Sequence, residues 1–152
     1  MSVKSVYIDS NIFISPLIYE RSSKSTDSKK VLAAIEKGEV TAYTSTLTWD
    51  EVVWVVRRVL GRADSIQAGE KLAAYPNLRF VIVSEEIIRS GQRLLAEYNI
   101  APRDAIHVTS ALSKKVDVIV SDDSDLDAVP EVKRESSALF SGSRPRDGQK
   151  ED

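Results

Sequence analysis

The chain has 152 residues, 42% of them hydrophobic and 29% charged, with a formal net charge of −2 at pH 7. That length suits one domain with a sizeable core, and no apolar run approaches the roughly 20 residues of a membrane-spanning helix. Cysteine is absent and histidine occurs once. Disulfide scaffolds, thiolate zinc sites, cysteine nucleophiles and multi-histidine metal sites are therefore excluded, and any metal must be held by oxygen, which favours magnesium or manganese.

The N-terminal residues run directly into a strand-like segment, so no signal peptide is expected. Residues 3–8 read as a short buried strand ending at Asp9. Asp9-Ser10-Asn11 can cap a helix over residues 12–19, with Pro16 limiting its regularity. Residues 22–28 are polar and serine-rich and read as a mobile loop. A helix follows over residues 27–37, with Val31, Leu32 and Ile35 on one face and Gly38 as its stop. Residues 40–44 read as a second strand. Residues 47–60 form a strong helix whose apolar face is Leu47, Val52, Val55, Val56, Val59 and Leu60, ended by Gly61. A further helix covers residues 62–74, and a third strand covers 78–83. Ser84-Glu85-Glu86 opens a helix to about residue 98 with acids at its N-terminus. Pro102 suits the first turn of a helix through residue 115. Residues 116–120 are a fourth strand, followed by a turn at 125–128 and an edge strand near Val132. Residues 1–140 thus form one domain. Residues 141–152, rich in Gly, Ser, Pro and charge, read as a disordered tail. Strands alternating with helices predict an α/β fold of three layers, with a mostly parallel central sheet of four to five strands flanked by helices.

In such sheets, sites lie outside the carboxyl ends of the strands. Asp9 follows the first strand, and Asp122, Asp123 and Asp125 follow the fourth. Two carboxylates about 4 Å apart repel by roughly 4 kcal/mol at an effective dielectric near 20. Such crowding is tolerated when the acids are solvated, protonated or neutralised by a cation. Asp104 opens a helix, and Glu51 borders the buried face of another. Each acid has a plain structural explanation: Asp9 as an N-cap, Asp104 as a dipole complement, Glu51 as a solvated helix residue. Their joint placement at strand ends and helix starts of one sheet is harder to explain that way.

Four motifs carry a family resemblance: Tyr7-Ile8-Asp9-Ser10-Asn11-Ile12-Phe13, Ser45-Thr46-Leu47-Thr48-Trp49-Asp50-Glu51-Val52, Arg103-Asp104-Ala105-Ile106-His107 and Val120-Ser121-Asp122-Asp123-Ser124-Asp125-Leu126. In this order the chain resembles a PIN domain, in the style of the VapC toxins of prokaryotic toxin–antitoxin pairs, over roughly residues 3–133. By that resemblance Asp9, Glu51, Asp104 and Asp123 match the family's acidic quartet, and Asp125 its frequent fifth acid. Ser121, aligned to the family's hydroxyl position, selects Asp123 and Asp125 and leaves Asp122 as a spacer facing solvent; a shift of one residue would select Asp122. Ser121 stands where threonine is more usual, and Leu126 where phenylalanine is common. The resemblance implies a Mg2+- or Mn2+-dependent endoribonuclease. In it Asp9, Asp104 and Asp123 hold the principal ion, while Glu51 and Asp125 complete a second ion or orient the attacking water. Asn11 would orient Asp9 or a bound water. The implied partners are RNA, a cognate antitoxin and a second copy of the chain, in the cytoplasm.

The remaining chemistry-bearing residues read more modestly. Ser121 is expected to fix the turn or hydrogen-bond Asp9, because no Ser/His/Asp spacing supports nucleophilic use. His107, three residues from Asp104 on one helical side, reads as a packed or hydrogen-bonded histidine. Trp49 and Trp54 could stack on bases, with core or subunit-interface packing the simpler expectation. Arg57, Arg58 and Arg62 complement a helix dipole or contact phosphate. Arg103, adjoining Asp104, is the better substrate contact. Two other functions compete: a PIN-fold RNA-binding or assembly module without hydrolysis, and a receiver-type phosphoacceptor domain. The second needs an acidic pair after the first strand, where Asp9 stands alone.

Overall fold

The computed structural model describes residues 3–140; the tail expected at 141–152 lies outside the described residues. The elements are β1 (Ser5–Ile8), α1 (Ser10–Ile18), α2 (Ser23–Glu36), β2 (Thr41–Ser45), α3 (Thr46–Leu60), α4 (Arg62–Ala73), β3 (Leu78–Val81), α5 (Glu85–Glu97), α6 (Pro102–Ser113), β4 (Val118–Val120), a 3-10 turn (Ser124–Ala128) and β5 (Lys133–Glu135). The five strands form one sheet in the order β3-β2-β1-β4-β5, and every pairing is parallel.

Strand period two builds the two halves of the core. Val6, Ile8 and Val120 face one side and pack with Ile12, Phe13, Val31, Ile35, Val52, Val56 and Leu72 from α1 to α4. Tyr7 and Ile119 face the other and pack with Leu94, Ala105, Val108 and Ala111 from α5 and α6. The sheet is thus buried on both faces, as parallel sheets usually are. Among the described residues no helix is long and apolar enough to cross a membrane.

The order of the strands has a functional consequence. From β1 the chain winds outward through β2 to β3, then crosses back to β4 and β5 on the other side. The reversal falls between β1 and β4, and crevices for ligands form at that switch point. The same order differs from the 2-1-3-4-5 order of receiver domains, which removes the phosphoacceptor alternative.

Two local expectations are corrected. Residues 22–28 are helical: Ser22 caps α2 by accepting from Ser25 N at 3.0 Å, and Ser25 and Ser28 are fully buried. Serines here are small inward-facing residues where α2 packs on α1, not loop formers. The apolar face of α3 is likewise split. Val52 and Val56 are buried, but Val59 and Leu60 are 56% and 46% exposed, and Trp49 and Trp54 are 45% and 50% exposed. Neither tryptophan is a core residue. Trp49 lies against Gly69 of α4, where an added Cβ would meet its Nε1 at 3.0 Å. The Arg58 guanidinium stacks 4.6 Å from the Trp54 ring. Gly61 joins α3 to α4 with φ 100°, a left-handed-side conformation that side chains rarely adopt.

Burial separates two valine- and isoleucine-type sites sharply. Ile119→Ala removes a fully buried side chain and is expected to cost about 2–5 kcal/mol in denaturant titration. Val59→Ala on the exposed end of α3 is expected to cost no more than about 0.5 kcal/mol in dilute protein. A larger loss at Val59 that grows with protein concentration would mean that this face is covered by a second copy.

Candidate active site

Asp9 is the first residue past β1, and Ser121 the first past β4. The register Ile8↔Val120, extended by Asp9 N donating to Val120 O at 3.0 Å, sets the two side by side. Ser121 Oγ donates to Asp9 Oδ2 at 2.6 Å. The same oxygen accepts from Asn11 Nδ2 at 3.1 Å and from Asp123 N at 3.0 Å. One donor and two acceptor positions are what a hydroxyl offers, so Ser121 is saturated in a structural role. Asn11 Nδ2 also reaches Asp9 Oδ2 at 3.2 Å, and its Oδ1 accepts from Asp122 N at 3.3 Å. Ser10 N completes the shell of Asp9 by donating to Oδ1 at 2.7 Å. Asn11 and Ser121 both hydrogen-bond the Asp9 carboxylate.

Beyond Ser121 the two neighbouring aspartates diverge. Asp122 turns away from the acids but does not face solvent. Its carboxylate accepts from Ser137 N and from Ser137 Oγ, both at 2.8 Å, and is half-buried. Asp123 stays at the site, where its Oδ1 accepts from Asp125 N at 2.9 Å and caps the 3-10 turn. Carboxylate oxygens of Asp104, Asp123 and Asp125 lie within 4.8 Å of one another. Asp104 enters from the first turn of α6, started by Pro102. Asp50 is exposed and points elsewhere. Arg103 is exposed beside Asp104.

Glu51 is not in that trio. It reaches the site from α3 and is met by His107: Nε2 lies 2.6 Å from Glu51 Oε1 and 3.4 Å from Asp9 Oδ1. Tyr7 Oη closes the other side of the ring, 2.7 Å from Nδ1. His107 is 1% exposed. Burial alone would push its pKa down, but Tyr7, Glu51 and Asp9 outweigh that and hold it well above the ordinary value. The one histidine of the chain thus sits inside the acidic site, between Glu51 and Asp9. Sequence reading placed it on the side of Asp104 but did not foresee its partners. The usable signal was periodicity: Tyr7 and Asp9 are two apart on a strand, and Asp104 and His107 are three apart on a helix. Arg134 was missed altogether; it donates to the Ser121 carbonyl at 3.0 Å and to Asp127 at 2.9 Å.

Asp104 shows the electrostatic cost most clearly. Burial raises its pKa first, then the charges of Asp123 and Asp9, to about 6. Among the described residues the trio has no ion pair with a lysine or arginine. Three converging acids, one held ready to protonate, fit a divalent hard cation with oxygen ligands.

A parallel α/β sheet with an all-oxygen acidic site at its switch point defines the class. The chain belongs to the PIN domain family, whose sequence model matches residues 6–132. No curated protein matches it by sequence. Similar folds include VapBC2 from Rickettsia felis bound to a DNA fragment from its promoter, at 13% identity and TM-score 0.68, covering 87% of this chain and 98% of that one. Mycobacterium tuberculosis VapC20, a sarcin-ricin loop cleaving toxin, aligns at 15% identity and TM-score 0.67, over 81% of this chain and 93% of that one. FitAcB from Neisseria gonorrhoeae aligns at 16% identity and TM-score 0.67, over 89% and 99%. At these identities the likeness is one of fold.

The sign of the Asp104 shift gives a pH prediction. A carboxyl with a folded pKa near 6 favours the folded state while protonated; that stability is present below about pH 4 and lost as pH rises through 6. The penalty above pH 6 is on the order of 3 kcal/mol. Asp104→Asn should therefore raise the melting temperature of the metal-free protein at pH 7.5 and leave it nearly unchanged at pH 3.5. Calorimetry at both values decides it; an equal shift at both would mean that repulsion is not the cause.

Proposed function

We propose that this chain is a metal-dependent endoribonuclease that hydrolyses RNA phosphodiester bonds and acts as the toxin of a toxin–antitoxin pair. The observation that carries the reading is the convergence of Asp104, Asp123 and Asp125 with Asp9 one shared hydroxyl away. Membership of the PIN domain family, a family of nucleases, supports it. Likeness to VapBC and FitAB structures supports the toxin role and a cognate antitoxin as partner. RNA as substrate, a homodimer and a cytoplasmic location belong to the same reading.

In this proposal Asp9, Asp104, Asp123 and Asp125 hold Mg2+ or Mn2+, and Glu51 joins them in the catalytic set. The ion, when bound, supplies charge neutralisation at the scissile phosphate and a nucleophilic water at neutral pH. The protein supplies placement. Ser121 and Asn11 fix the rotamer of Asp9. The 3-10 turn fixes Asp123 against Asp125. Arg103 offers a phosphate contact at the rim, without which an acidic cleft repels RNA. Water attack at phosphorus forms the new P–O bond as the bond to the 3′ oxygen breaks, so the products carry a 5′-phosphate and a 3′-hydroxyl.

The direct test is hydrolysis of single-stranded RNA with magnesium, by wild type and by Asp9→Asn and Asp123→Asn. Each variant should fold and lose more than the roughly 10- to 100-fold that removal of an outer partner costs. Chelation should abolish cleavage, and manganese should restore it. Equal cleavage by wild type and Asp9→Asn would sink the nuclease assignment, and the non-hydrolytic module would then stand.

A further inference from the structure

His107 has no assigned part in the acid chemistry, yet both of its ring nitrogens are engaged. Its ring is fixed from both ends, by Tyr7 Oη at 2.7 Å and Glu51 Oε1 at 2.6 Å, and packs edge-on to the Tyr7 ring at 5.6 Å between centroids. A carboxylate oxygen only accepts hydrogen bonds. Nε2 faces Glu51 Oε1 and Asp9 Oδ1, so Nε2 carries a hydrogen aimed at that pair. This holds whatever occupies Nδ1. Glu51 has no other hydrogen bond among the described residues, and its side chain is 14% exposed. Oε1 is committed to His107, and Oε2 has no hydrogen-bond partner among the described residues.

We infer that His107 is a positioning residue of this site: its Nε2–H bridges Glu51 and Asp9, commits Glu51 Oε1, and leaves Oε2 as the atom that accepts a proton from the attacking water. The inference rests on the nuclease reading for the last step only. The proton moves from water to Glu51 Oε2 while the water oxygen bonds to phosphorus, and the departing 3′ oxygen takes a proton from solvent. Glu51 thereby works beside the Asp104, Asp123 and Asp125 trio instead of inside it. The distance pattern agrees, since Glu51 spans from α3 to α6 and not to the 3-10 turn. Tyr7 acts one step further out, as the stop that sets the plane of the ring.

Asparagine and glutamine separate positioning from mere filling. A glutamine amide can reach where Nε2 lies, and an asparagine amide only where Nδ1 lies. His107→Gln should retain most of the activity. His107→Asn and His107→Ala should lose roughly 10- to 100-fold, in kcat, with KM for RNA unchanged. Equal loss in all three, or a change confined to KM, would overturn the inference. Two readouts do not need catalysis. Because His107 is the one histidine of the chain, its ring proton and nitrogen signals are assigned without ambiguity. Metal-free wild type should show a slowly exchanging Nε2–H that is lost or shifted in Glu51→Gln; a signal averaged by solvent exchange would overturn the bridge. Calorimetric titration with Mn2+ should show weaker binding in His107→Ala than in His107→Gln; equal affinities would count against it. If the wild type cleaves no RNA, the nuclease reading falls, and the nitrogen spectrum and the Mn2+ titration still decide the bridge.

Discussion

The structure depends on one hydroxyl. Ser121 Oγ donates to Asp9 and accepts from Asn11 and from the backbone of Asp123, tying the ends of β1 and β4 together where the winding of the chain switches sides of the sheet. Without that link, the Asp9 carboxylate would lose its shortest side-chain hydrogen bond where two carboxylate-bearing segments meet, and close carboxylate pairs repel by roughly 4 kcal/mol. With it, Asp9 is fixed, and the turn that presents Asp123 and Asp125 starts from a fixed point. Parallel register makes the link possible, because pairing of Ile8 with Val120 forces Asp9 and Ser121 into adjacent positions.

Charge within the site is divided unevenly. His107 lies between Asp9 and Glu51 and meets both carboxylates with its Nε2. The Asp104, Asp123 and Asp125 side has no comparable ion pair among the described residues, and there the strain appears, in a carboxyl pushed to about 6. An internal hydrogen-bond partner on one side and a raised carboxyl on the other place the demand for an external cation at the trio. This division also explains why Glu51, an acid of the same set, is drawn to α6.

Much of this was legible in the sequence for a simple reason. Buried parallel strands are short β-branched runs, and acids at their C-terminal ends can be counted from the strand boundaries. The strands and the acids beyond β1 and β4 follow from that logic, whereas the choice of Asp123 and Asp125 over Asp122 came from the family resemblance. What failed shares a different cause. Residues 22–28 read as a loop because their composition is polar and serine-rich, whereas Ser25 and Ser28 are buried within α2, which local propensity does not register. Val59 and Leu60 belong to the apolar face by periodicity but are exposed, because periodicity reports which residues are apolar, not whether the body of the protein extends far enough along the helix to cover them. Arg134 and Ser137 act on residues 121–127 from the far side of β5, and no spacing in the sequence announces such a contact. Tail residues 141–152 lie outside the described residues.

Those late contacts explain how the site persists. Domain stability is on the order of 5–15 kcal/mol, so a penalty near 3 kcal/mol at Asp104 is a large fraction of the whole. Repulsion among Asp104, Asp123 and Asp125 would be relieved most cheaply by swinging the loop of residues 121–127 outward, since it is the one acidic segment not inside a helix or strand. That movement is opposed at three points: Arg134 grips the Ser121 carbonyl and Asp127, Ser137 grips Asp122, and Lys4 grips Glu135 at the end of β5. The contacts to the Ser121 carbonyl and to Asp122 are partly buried and hold the loop more firmly than the exposed Arg134–Asp127 pair. Asp122, the acid that takes no place in the cluster, is thus the one whose binding to Ser137 keeps its neighbour Asp123 there.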